Sequence, residues 1–120
     1  MVGPINGVIL WTSEARHPAM AAFYRDTLGL TPRSDRPGFI NFEWGALRLT
    51  ISTHSEIDGT SKDPLRVMVN LATDDIRDDH ARLVERGVAF SRSPEQEPWG
   101  GWIATFTDPD GNTVQLLQPA

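Results

Sequence analysis

A chain of 120 residues is long enough for one domain and short for two independent ones. It contains no cysteine, which excludes disulfides, thiolate zinc sites and cysteine nucleophiles and leaves the redox compartment open. Sixteen acidic against eleven basic residues give a net charge of −5 with no basic stripe, so a nucleic-acid partner is not expected.

The amino terminus, Met1 to Glu14, carries no basic leader and only a short apolar run. Neither a signal peptide nor a membrane contact is expected, and a cytoplasmic location is the default. Val8 to Thr12 is apolar, β-branched and aromatic, as a buried strand should be. His17 to Leu28 places Met20, Phe23, Tyr24 and Leu28 at helical spacing, with Pro18 in the tolerant first turn and Gly29 at the stop. Three strands should follow, around Leu30–Arg33, Gly38–Glu43 and Ala46–Ser52. The Gly-, Ser-, Asp- and Pro-containing stretch His54–Pro64 reads as a connector.

The order then repeats. Arg66 to Ala72 is the next expected strand, and Thr73 or Asp74 offers a helix cap. Ile76, His80, Leu83 and Val84 form an apolar stripe that stops at Gly87, with His80 packing on that face. Strands around Val88–Ser91, Trp102–Thr107 and Asn112–Gln118 complete the second set. The repeat is one of architecture more than of letters. Its boundaries are module one at 5–53, connector at 54–64 and module two at 65–118, within a single domain spanning 1–120.

Asp108-Pro109-Asp110-Gly111 is a hairpin connection in which Pro109 presets φ and Gly111 supplies a left-handed position. Both aspartates are therefore read as turn residues. Taken with Phe23-Tyr24-Arg25-Asp26-Thr27-Leu28-Gly29-Leu30, the run Phe106 to Leu116 resembles the vicinal oxygen chelate superfamily of glyoxalases, bleomycin-resistance proteins and extradiol dioxygenases. The resemblance covers Val8 to Gln118. It implies an α+β fold: two βαβββ modules forming a curved mixed sheet around a ligand cup, with helices on the convex side. A homodimer is implied as well. Both motifs mark the fold and leave the chemistry open.

In the metal enzymes of the family, His, Glu or Gln from the first and last strands of each module hold a divalent ion in the cup. Strand alternation locates those positions here. With Val114 and Leu116 packed under the helices, Gln115 faces the cup where a glutamate is usual. Counting from the hairpin glycines pairs Gln115 with Leu49, but apolar parity sends Leu47, Leu49 and Ile51 to the core and leaves Arg48, Thr50 and Ser52 facing the cup. Parity is preferred, with Thr50 nearest the ligand position. With Val69 and Leu71 buried, Met68 stands where a histidine often sits, beside Asn70. In the first strand the ligand position falls on Gly7 or Ile9. Of these residues only Gln115 has an oxygen of the expected kind, whereas catalytic zinc wants about three protein ligands. His17, His54 and His80 are badly placed to substitute. No cofactor is expected, a divalent metal being the family alternative.

Trp11, Trp99 and Trp102 could offer aromatic faces to a planar molecule, and each could equally serve packing. Glu97 to Trp102, with its paired glycines, reads as a mobile lip or a plain turn. Arg48 suits an anionic or carbonyl-rich ligand, or a solvated sheet rim. Glu43 is the one weak candidate for acid–base work. The leading expectation is a metal-free binding protein similar to the drug-sequestering members, using Trp11, Arg48, Thr50, Met68, Asn70, Trp99, Trp102 and Gln115 on a small planar or aromatic molecule. The rivals are a lyase, isomerase or dioxygenase with an atypical metal site, and a metal-free enzyme using Glu43 or a histidine.

Overall fold

The computed structural model describes residues 1–120. The chain forms two compact units, Met1–Gly59 and Thr60–Ala120, which divide inside the expected connector. Each unit holds one four-stranded mixed sheet and one α-helix in the order expected of a βαβββ module. No helix is long and apolar enough to cross a membrane.

In the first unit, β1 (Gly7–Thr12) leads to α1 (His17–Ala22), then β2 (Ser34–Arg36), β3 (Phe39–Trp44) and β4 (Leu47–Thr53). The sheet order is β1-β4-β3-β2, with β1 parallel to β4 and the other pairs antiparallel. The expected helix 17–28 is shorter than its stripe. After Ala22 the chain widens into a π-helical turn, Phe23–Thr27, where Leu28 N–H donates to Phe23 O at 2.8 Å. Met20 and Tyr24 are fully buried with Ile40, Phe42 and Ile51, and the Tyr24 and Phe42 rings lie 6.5 Å apart. His17 is buried too, its Nε2 3.0 Å from Ile51 O. Alternation therefore decides the sheet: Leu49 and Ile51 pack under α1, and Arg48, Thr50 and Ser52 project from the opposite face.

In the second unit, β5 (Met68–Ala72) leads to α2 (Ile76–Glu85), then β6 (Phe90–Gln96), β7 (Trp102–Thr107) and β8 (Thr113–Gln118), in the order β5-β8-β7-β6. The helix cap is Asp75, whose carboxylate accepts from Asp78 N–H at 3.1 Å. Thr73 instead bonds the Asp79 side chain. Gln118 Oε1 takes the Ile76 N–H at 2.8 Å and ties β8 to the start of α2. His80 lies against Phe90 with ring centroids 4.4 Å apart, on the packed side of the helix.

The β7–β8 turn is built around Asp108. Its carboxylate accepts from Asp110 N–H (2.9 Å), Asn112 N–H (3.0 Å) and the Asn112 amide (2.9 Å), while Gly111 N–H closes on Asp108 O at 2.9 Å. Gly111 has φ +79°, the left-handed value the sequence demanded. Asp108 and Asp110 are both buried, so these aspartates hold the turn.

Candidate functional site

Each sheet buries one face under its helix, which leaves the other face as the place where side chains are free to meet a ligand. On the first unit, strand register brings Ile9, Thr50 and Asn41 into one row across β1, β4 and β3. The next rows carry Gly7, Arg48 and Glu43 on one side and Trp11, Ser52 and Phe39 on the other. Of Gly7 and Ile9, it is Ile9 that pairs with Thr50. A cavity of about 540 Å³ lies here, lined by Asn6, Gly7, Ile9, Glu43, Arg48 and Thr50 among others. A side chain at Gly7 would come within 3.2 Å of Arg48 O, so glycine keeps this corner open. Trp11 is 44 % exposed and meets the His54 ring edge to face, with centroids 5.4 Å apart.

Glu43 is no isolated carboxylate. It lies 2.8 Å from Arg33 Nε and 3.7 Å from Arg48 Nε. Its two oxygens thus each face a guanidinium, so Glu43 is an ion-pairing group rather than a free carboxylate. Arg33 was missed in the sequence because it precedes β2. The signal was available in the hairpin register, since Arg33 N–H bonds Asn41 O and so brings its side chain beside Glu43.

On the second unit the corresponding row is Asn70, Gln115 and Thr105 across β5, β8 and β7. Gln115 Nε2 donates to Asn70 Oδ1 at 3.2 Å, which leaves one amide oxygen and three amide N–H bonds of the pair outside that bond. Met68 sits one row away, opposite Thr113, so Asn70 is the residue beside Gln115. Met68 itself is well exposed.

Two tryptophans differ from expectation. Trp102 shares its alternation with Ala104 and Phe106, which are buried on the helix side, and Arg77 of α2 stands over its ring, 5.0 Å from the centroid. It faces away from Gln115 and cannot offer a stacking surface there. Trp99 is exposed but folded onto Gly101, where a Cβ would fall within 2 Å of the indole. The expected lip is a braced turn: Glu97 N–H bonds Gly101 O (2.7 Å), Gly100 N–H bonds Glu97 O (2.9 Å), and Arg92 holds Glu97 at 2.7 Å. Hydrogen bonds to Glu95 first and Glu97 second keep the Arg92 guanidinium above its ordinary pKa.

A second groove, about 730 Å³, opens on the helix side of the first unit, lined by Glu14, His17, Arg25, Asp35 and Arg36 among others. Two of its charges, Arg25 and Asp35, are spent on one another. Arg25 donates to Asp26 (2.9 Å) and Asp35 (3.0 Å), and the Arg25 hydrogen bond holds the Asp26 carboxyl below its ordinary value.

The residues on the rows where metal ligands were expected do not fit a divalent metal. Ile9 has no donor, Thr50 offers a neutral hydroxyl, and Asn70 and Gln115 are amides bonded to each other. No three His, Asp or Glu side chains gather anywhere in the chain to take their place.

Two units in βαβββ order, each a four-stranded mixed sheet with one α-helix, are the architecture the sequence resemblance implied. The family model of the Glyoxalase/Bleomycin resistance protein/Dioxygenase superfamily matches residues 14–116, and the chain belongs to that family. The solved structure of TnmS3, an antibiotic binding protein from Streptomyces sp. CB03234, is 29% identical with a TM-score of 0.77, covering 99% of this chain and 98% of that one. A glyoxalase/bleomycin resistance protein/dioxygenase from Nocardioides is 25% identical (TM-score 0.72), over 98% of this chain and 84% of that one. Lactoylglutathione lyase from Agrobacterium tumefaciens is 21% identical (TM-score 0.75, over 98% and 94%) and shares the fold. No curated protein matches the chain.

Proposed function

We propose that this chain is a small-molecule binding protein that works without a metal and takes a planar or aromatic ligand, in the manner of the drug-sequestering branch of its family. The observation that carries this reading is the donor set on the bare faces. Lewis-acid chemistry of the family's kind needs an ion held by imidazoles and carboxylates. These rows carry an isoleucine, a threonine and a mutually bonded amide pair instead. A cavity of about 540 Å³ matches a drug-like molecule, and exposed Trp11, one row beyond its lining residue Ile9 on the same strand face, offers a ring for stacking.

Arg48 and Thr50 are the remaining contacts this reading assigns to the cavity of the first unit; on the second unit's own face Met68, Asn70 and Gln115 are candidates, with Trp99 a candidate from its braced turn. The likeness to an antibiotic binding protein supports the same branch. Self-association belongs to the reading too, because the edge strands β1 and β5 expose Val8, Ile9 and Met68 beside unpaired backbone.

The test is a tryptophan-quenching titration with a planar quinone such as 1,4-naphthoquinone. Saturable quenching is expected, and Trp11→Ala should weaken the affinity by about 0.5–1.5 kcal/mol, the size of a stacking contribution. His80→Ala, on the packed side of α2, should leave the affinity unchanged. Control of binding by His80 with Trp11 silent would reject the assigned face.

A further inference from the structure

We infer that the cavity of the first unit selects ligands bearing an anionic group, and that Glu43 occupies Arg48 until such a ligand displaces it. This rests on the small-molecule reading above and names the ligand's charge. The chain as a whole is acidic, with net charge −5, so an excess of positive charge at one place needs a reason. On the row at the β3–β4 end of the sheet, two guanidiniums, Arg33 and Arg48, face one carboxylate, Glu43. One positive charge is left over.

The two contacts are unequal. Arg33 Nε stands 2.8 Å from Glu43 Oε2, a full ion-pair distance, whereas Arg48 Nε stands 3.7 Å from Oε1. Arg48 has no other acidic partner, its side chain is 45 % exposed, and it lines the cavity, as Glu43 also does. The carboxylate is thus committed to Arg33, and Arg48 is only loosely held. A planar fork of N–H donors aimed at a cavity binds a carboxylate, sulfonate or phenolate oxygen better than any neutral group. Gly7 keeps the space beside Arg48 clear, and Thr50 adds a hydroxyl two residues along the same strand face.

Glu43 then acts as a competitor. While it touches Arg48 it screens the charge and repels an incoming anion, and removing its charge should improve anion binding. A purely structural ion pair would give the opposite result, because its loss would only loosen the hairpin.

The experiment is a calorimetric titration with two isosteric planar probes, 2-naphthoate and 2-naphthamide, on the whole chain and its variants. The naphthoate should bind at least about tenfold more tightly, the scale of a charge-assisted hydrogen bond, and lose that advantage as salt is raised. Arg48→Gln should abolish the difference between the probes. Glu43→Gln should raise naphthoate affinity about two- to fivefold, the size of a weak exposed ion pair, without helping the naphthamide. Trp11→Ala should weaken both probes alike. Equal binding of the two probes, or a loss of naphthoate affinity in Glu43→Gln at an unchanged unfolding midpoint, would overturn the anion assignment alone. Binding of neither probe would overturn it together with the small-molecule reading.

Discussion

Replacing Asp108 with alanine is expected to lower the unfolding free energy by about 2–4 kcal/mol. The Asp108 carboxylate accepts three hydrogen bonds inside a buried turn, two of them from backbone N–H groups of Asp110 and Asn112. Alanine would leave those N–H groups without the acceptor they have, and an unsatisfied buried donor costs about 1–3 kcal/mol. Asp108→Asn keeps one acceptor oxygen and should cost less, about 1 kcal/mol. Urea denaturation followed by circular dichroism would measure both. An alanine variant with the wild-type midpoint would mean that the β7–β8 turn does not depend on this carboxylate.

An equally large effect is expected from Phe42→Ala, which should destabilise the protein by about 3–5 kcal/mol. Phe42 is fully buried on the α1 side of β3, against Tyr24, with its ring 6.4 Å from Trp44. Neighbouring α1 has a buried His17 and continues into the π-helical turn with buried Tyr24, so in this close-packed surrounding the hole left by the ring can close only partly. Thr50, paired with Asn41 one residue from Phe42 but on the opposite face, is the natural control. Thr50→Ala should shift stability by no more than about 1 kcal/mol. Similar costs at the two positions would show that the bare face is also a packed one.

Much of this was legible in the sequence because the fold's punctuation is local. The Asp-Pro-Asp-Gly turn, the helix-ending Gly87 and the alternation Leu49–Ile51 and Val114–Leu116 each follow from one residue's conformational or burial preference. Where the structure departs, a tertiary partner made the choice. β2 lies at Ser34–Arg36, immediately after the expected strand Leu30–Arg33, because Asn41 fixes the register through its side chain, taking Ser34 N–H at 3.0 Å. β6 runs on to Gln96 despite Pro94 and a polar sequence. It is an edge strand with register irregularities on both sides of Arg92, the setting in which proline and polar residues are tolerated.

The candidate site was legible by alternation and less so by row. Parity assigned Arg48, Thr50, Asn70 and Gln115 to the bare faces, and the parallel register then chose Ile9 over Gly7 and Asn70 over Met68. Trp102 was misplaced because β7 is apolar on both faces: Ile103 is buried as well as Ala104 and Phe106, so alternation in that strand carries no sign. The pairing of Trp102 with Gln118, whose side chain bonds the start of α2, supplies it.

The central claim is that this member of the family binds its ligand without a metal, and elemental analysis of the purified protein combined with the quinone titration tests it most directly. The account predicts far less than one zinc, nickel, manganese or iron per chain, and the same quinone affinity before and after treatment with a chelator. One metal ion per chain, removed by the chelator together with ligand binding or a catalytic activity, would contradict it.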